Sequence, residues 1–191
     1  MKTPPSPHFL IAAANAFVGL DLSATQARTG VAGVTGCFLR EVGAAPGSAV
    51  TWDTAFAHHV GYWSHYDTYV GCSSWPLPPV ATADELARFA KARGLISHTP
   101  MAGDVFLLKS AVHSGFARTG VVVRVEPRGH PPVASGEVAC TVIEGDTNEA
   151  RVIGGGQVLR HLRIFSSWRG DRFIRWTRRT GEYARREPEA A

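Results

Sequence analysis

The sequence predicts an α+β domain in which helices come first and an antiparallel sheet follows. Up to Gly94 the apolar residues recur at helical spacing and are flanked by capping signals. From Asp104 onward they fall instead into short β-branched or alternating runs. With 191 residues, 45% hydrophobic and 19% charged, the chain is globular and has enough apolar surface for one core but not two. The expected organisation is an N-terminal lead-in over 1–8, a single domain over 9–178 and a polar tail over 179–191.

In chain order, Phe9–Gly19 reads as a first helix with Gly19 placed to end it. The same stretch ends in an Ala-x-Ala pattern, as a cleaved signal would, but one lysine and three early prolines make a poor basic start, so a helix is the expectation. Gly30–Gly36 forms a flexible link into a second helical segment, Cys37–Val42. The stretch from Val42 to Val60 organises the rest: a turn at Pro46 and Gly47, then a helix from Thr51 to between Trp63 and Tyr66. Trp52, Ala55, Phe56 and Val60 take one buried face of that helix. Thr51 is its expected N-cap, and Asp53 falls in the first turn, where the helix dipole favours a negative group.

Tyr66–Pro79 is aromatic, rich in Gly and Pro and without a period, the signature of a long surface loop. Thr82–Gly94 is a helix with a capping box from Thr82 to Glu85, basic residues at its end and Gly94 to stop it. Strands are expected at Asp104–Lys109, Thr119–Val125, Ala139–Glu144 and Gln157–Phe165, with a short closing strand at Phe173–Trp176. In the fourth, Val158, Leu159, Leu162 and Ile164 alternate with basic residues, which predicts one buried face and one wet face.

Composition narrows the function classes only broadly. No run of about 20 apolar residues occurs, so the sequence predicts no helical membrane span. A net charge of +4 and an isoelectric point near 9.3 favour anionic partners in general. Cys37, Cys72 and Cys140 are an odd count without a close pair, which points to neither a disulfide framework nor a zinc ribbon.

Four motifs, in order, carry a family resemblance. Gly-Ala-Ala-Pro-Gly…Trp-Asp-Thr-Ala-Phe over 43–56 resembles the nucleophile segment of CHAP domains, whose usual wording is Pro-Gly…Trp-Cys-Ala-Ala-Phe. These are cysteine- and histidine-dependent amidohydrolases or peptidases that cut the peptides of bacterial cell walls. Pro-Met-Ala-Gly-Asp-Val-Phe over 100–106 and Phe-Ala-Arg-Thr-Gly-Val-Val-Val over 116–123 resemble two of the family's strands. Val-Ile-Glu-Gly-Asp-Thr-Asn over 142–148 resembles its Thr-Ile-Glu-Gly-Asn-Thr-Asn turn, and a glycine-led strand with arginines follows from Gly154. The resemblance implies a papain-like α+β fold. It also implies a peptidoglycan or protein partner, no cofactor and no metal, in a bacterial cytoplasm or, if the chain is exported, the periplasm or cell wall.

The departures fall at the chemistry. Asp53 stands in the place of the cysteine and Arg118 in that of the histidine. The third polar position falls near Glu144, with Asp146 where Asn is usual. A carboxylate is a poor nucleophile toward an amide, and a guanidinium with a pKa above 12 serves neither as base nor as proton donor. The resemblance therefore implies a catalytically inactive relative that retains a groove for binding or regulation. An anion facing a cation is preserved, so Asp53 and Arg118 are expected to form a salt bridge, with Glu144 or Asp146 also reaching Arg118. Trp52, Asp146, Trp63 and Trp75 are the candidate binding residues around that groove; the loop aromatics Trp63, Tyr66, Tyr69 and Trp75 serve equally well as cover for the core.

Two alternatives remain at this point. An active amidase or endopeptidase would need a rebuilt site, for which Cys72 with His65 or His113 is the candidate. Nucleic-acid binding would use Arg160–Arg179, where seven arginines are interleaved with Phe165, Trp168, Phe173 and Trp176. His58 and His59 point about 100° apart on a helix and so do not suggest a metal site.

Overall fold

The computed structural model describes residues 6–19, 43, 52–67, 72–73, 75–112, 114–128, 131–147 and 156–177. The expected segment Cys37–Val42, the turn at Pro46 and Gly47, the cap Thr51 and the tail over 179–191 lie outside the described residues. Within them the fold is α+β, with three helices and a six-stranded antiparallel sheet.

Helix α1 (Pro7–Ala16) begins two residues before the expected Phe9, with Pro7 in its first turn, where a missing N–H breaks no helical bond. Gly19 follows its end with φ of 89°, and its N–H bonds the carbonyl of Val158 at 2.9 Å. Helix α2 (Asp53–Ser64) starts two residues after the expected Thr51, and its N-cap is Trp52, not Thr51, without a side-chain bond. The first-turn carboxylate of Asp53 instead accepts the N–H of Thr54 at 2.9 Å. Helix α3 (Ala83–Ala92) has the predicted capping box: Thr82 Oγ1 accepts the Glu85 N–H at 3.2 Å, and the Glu85 carboxylate accepts the Thr82 N–H at 3.2 Å.

The aromatic stretch after α2 is not wholly irregular. Strands β1 (Tyr66–Asp67) and β2 (Cys72–Ser73) form a small antiparallel ribbon. Ser73 Oγ donates to the Tyr62 carbonyl at 2.7 Å and accepts the Trp75 N–H at 3.1 Å, which brings Trp75 down onto α2. Its ring takes the space beside Gly61, where a Cβ would lie 2.2 Å from the indole. Gly61→Ala is therefore expected to destabilise the domain by about 1–3 kcal/mol through overpacking, read as a lower midpoint in urea.

The main sheet contains β3 (Ile96–Ser97), β4 (Val105–Lys109), β5 (Phe116–Val125), β6 (Glu137–Thr147), β7 (Gln157–Ser166) and β8 (Arg172–Ile174). Its order is β3-β8-β4-β5-β6-β7. Strand β3 has two residues, too few for a sequence pattern to announce it. Along each strand the side chains alternate. Val105, Leu107, Val121, Ile143, Val158 and Ile174 face the helices and pack with Leu10, Phe56, Val60 and Leu86. Phe106, Val122, Cys140, Val142, Phe165 and Phe173 face away from them and form a second, smaller core.

That second core exists because the sheet curls. In a flat sheet of this order β7 and β8 would lie roughly 19 Å apart, four strand spacings. The short turn between them holds the ends together instead. Asp171, 2% exposed, accepts the N–H of Ser166 at 2.8 Å and of Lys109 at 2.9 Å, joining the end of β7 to the end of β4. Inside the curl the Phe106 and Phe165 rings lie 5.1 Å apart, and Phe165 and Phe173 5.0 Å. No described helix is long and apolar enough to cross a membrane.

Candidate functional site

The N-terminus of α2 enters the sheet where β5 and β6 part. Their last register pair at this end is Val121 with Ile143, so Thr119 has lost its β6 partner. Asp53 takes its place: Oδ2 accepts the Thr119 N–H at 2.8 Å, while Oδ1 holds the Thr54 N–H. Gly145 makes the approach possible, since a Cβ there would lie 2.6 Å from the Trp52 ring and 2.9 Å from Phe56. Asp84 in the first turn of α3 does the same job three residues earlier on β5, accepting the Phe116 N–H at 2.7 Å. Two helix N-termini thus grip one strand through carboxylates.

Arg118 stands beside Thr119 in sequence but on the opposite face of β5. It pairs in register with Leu108 and shares its parity with Gly120 and Val122, the inner face of the curl. There Nη2 donates to Glu144 Oε2 at 2.9 Å and weakly to the Gly145 carbonyl at 3.5 Å. The expected salt bridge between Asp53 and Arg118 does not form; Asp53 holds the backbone of β5, and Glu144 is the acid that reaches Arg118. The side chain of Asp146 lies outside the described residues.

Two further residues complete the cluster, and both lie on β7. His161 Nε2 lies 3.1 Å from Glu144 Oε1. Arg163 donates through Nε to the same oxygen and through Nη2 to Oε2 at 2.7 Å. His161 and Arg163 stand opposite Val142 and Cys140 in register, which turns them inward. The expectation of a buried apolar face and a wet basic face on β7 is thereby corrected, since Arg163 is 14% exposed while Ile164 is 40% exposed. The available signal was parity: residues 161, 163 and 165 share one side of the strand, and Phe165 belongs to the core.

Glu144 is 0% exposed and faces two permanent cations. Burial pushes its carboxyl up, but the bonds from His161 and Arg163 and the charges of Arg163 and Arg118 outweigh that and hold it below the ordinary 4.5. Arg118 is 4% exposed, and its Nε and Nη1 have no hydrogen-bond partner among the described residues.

Both oxygens of Asp53 accept backbone N–H groups, from Thr54 and Thr119. Cys140 lies buried on the inner face, and burial, helped by the negative charges of Glu126 and Asp104, raises its thiol to about 12. It is expected to resist alkylation at neutral pH in the folded protein and to react once the chain is unfolded, as mass spectrometry of the labelled chain would show.

The remaining candidates separate clearly. Trp52 and Trp75 are 5% and 8% exposed and belong to the core. Trp75 stacks on His65 at 5.7 Å and meets Trp176 at 4.7 Å. Trp63 is 52% exposed, with the Tyr66 ring 5.1 Å away. His65 is committed: Nε2 accepts the Ser6 N–H at 3.1 Å, so the proton sits on Nδ1, 2.9 Å from the Gly61 carbonyl. It is not placed to activate a thiol, and the side chains of Cys72 and His113 lie outside the described residues.

Among the described residues no group of three His, Cys, Asp or Glu side chains is arranged to hold a metal. In the arginine-rich region Phe165, Phe173 and Trp176 are core, Arg163 serves Glu144, Arg169 pairs with Asp171 and Arg175 with Asp104, leaving Trp168 exposed. Compared with family models, with curated proteins and with solved structures, the chain matches none.

Proposed function

We propose that the chain is a CHAP-like, papain-like domain that has lost catalysis and acts as a binding or regulatory module, with a peptidoglycan peptide, a glycan or a protein as its ligand. The order of the four motifs along the chain supports the family. The loss of catalysis is supported by one observation above all: the residues at the nucleophile and base positions are built into the interior. Asp53 and Arg118 are 1% and 4% exposed, the first bonded to backbone N–H groups and the second to Glu144. Neither reaches an amide in solution; a carboxylate is a poor nucleophile toward one, and a guanidinium does not serve as a base.

The contact surface on this reading lies outside those positions, around exposed Trp63 and its neighbours Tyr62 and Tyr66, whose rings suit a sugar or a peptide. The test is to incubate the purified protein with purified bacterial sacculi, then analyse the supernatant for released peptides and the pellet for bound protein. Binding without release, reduced in Trp63→Ala, is the expected result. Release that disappears in Cys72→Ala would overturn it in favour of a hydrolase with a relocated nucleophile. Neither binding nor release would remove wall material from the ligand classes.

A further inference from the structure

On the helix side of the sheet, between α3 and the β3–β8 edge, lies an open groove of about 770 Å³. Arg88 and Lys91, three residues apart on α3, form one wall, and His98 and Arg172 the other. Ile96 and Phe116 supply its apolar part. The volume lies in the range of small-molecule sites, far above what a bare inorganic ion requires.

The charge of the groove is unbalanced. Among the described residues Asp84 is the one carboxylate on its lining, and its Oδ1 is already taken by the Phe116 N–H. Arg88, Lys91 and Arg172 form no ion pair among the described residues; Arg172 Nη1 donates only to the Asp171 backbone carbonyl, at 2.7 Å. Three permanent cations against one carboxylate leave an excess of two positive charges. Cations on facing walls can bind one group from both sides, and a guanidinium is suited to oxyanions with more than one acceptor oxygen.

We propose that this groove binds a small phosphate monoester, its dianion between Arg88, Lys91 and Arg172 and an apolar or aromatic body against Phe116 and Ile96. A phosphate monoester near neutral pH carries close to two negative charges, which matches the excess. The site is separate from the Asp53 and Arg118 positions, and the inference does not depend on the CHAP-like reading.

The experiment is titration calorimetry of the full chain with phenyl phosphate, compared with phenyl sulfate, inorganic phosphate and phenol. Phenyl phosphate is expected to bind at least about tenfold more tightly than phenyl sulfate, which carries one charge fewer, and than inorganic phosphate, which has no apolar body. Phenol should not bind detectably. Arg172→Gln and Lys91→Gln should each weaken phenyl phosphate by about tenfold, with unchanged thermal midpoints showing that both variants fold. Arg124→Gln, at an exposed position outside the groove, serves as the control and should have no effect. Equal affinity for the sulfate and the phosphate, indifference to both groove substitutions, or no binding at millimolar ligand would each overturn the proposal.

Discussion

Glu144→Gln is expected to lower the stability of the domain by about 3–5 kcal/mol, the cost of breaking a buried ion pair by removing one partner. Here two guanidiniums, Arg118 and Arg163, would be left facing an amide. Arg118→Met should behave very differently. Glu144 would keep both bonds from Arg163 and the one from His161, and the two Arg118 nitrogens without partners would be gone. Its cost is expected to stay below about 1.5 kcal/mol, the range of volume-conserving core changes. Equal losses for the two substitutions would sink the account of Glu144 as the hub.

The same residue sets an acid limit. Because its folded pKa lies below the ordinary 4.5, the carboxylate contributes stability that is fully present above that value and is lost as the pH falls through the depressed one. Urea midpoints of the wild type should therefore hold steady down to about pH 5 and fall below it. In Glu144→Gln that part of the acid dependence should be missing.

Asp53→Ala is the second large effect, expected at about 3 kcal/mol, since two buried N–H groups lose a charged acceptor at once. Asp53→Asn should recover less than half of this, because the amide offers one acceptor oxygen and turns an N–H donor toward the other backbone donor. Asp53→Cys restores the wording of the family motif but returns neither the acceptors nor a histidine at 118. It should be destabilised to a similar degree and release nothing from sacculi. Chemical denaturation of the three variants side by side checks the order, and an Asn variant as stable as wild type would show that Asp53 does not act through both oxygens.

The contrast between Asp53 and Arg118 also separates what the amino-acid sequence makes legible from what it does not. Local signals were legible, because they involve residues a few positions apart: the Thr82 and Glu85 capping box, the Gly19 helix end and the β-branched run of β5 are all present. The antiparallel sheet followed from alternation. The partner of Asp53 did not follow, since opposite charges in two motifs say nothing about which face of a strand each occupies. One residue along β5 is a change of face, so Thr119 meets the helix and Arg118 meets Glu144. Trp75 misleads for a related reason: its sequence neighbourhood is a loop, but the β1–β2 ribbon folds it back over Gly61.

The position of β8 has a consequence for the order in which the domain is made. Strands β4, β5, β6 and β7 are successive neighbours and can pair as each leaves the ribosome. Strand β8, the last in the described chain, lies between β3 and β4, two strands made long before it. Until residues 172–174 have emerged, a nascent chain carries β4 with an unpaired edge, and the Phe106 and Phe165 rings lack the cover of Phe173. Such an edge beside exposed aromatics invites pairing with a second chain. Chaperone demand should therefore persist until β8 has emerged from the ribosome and fall sharply once it is in place.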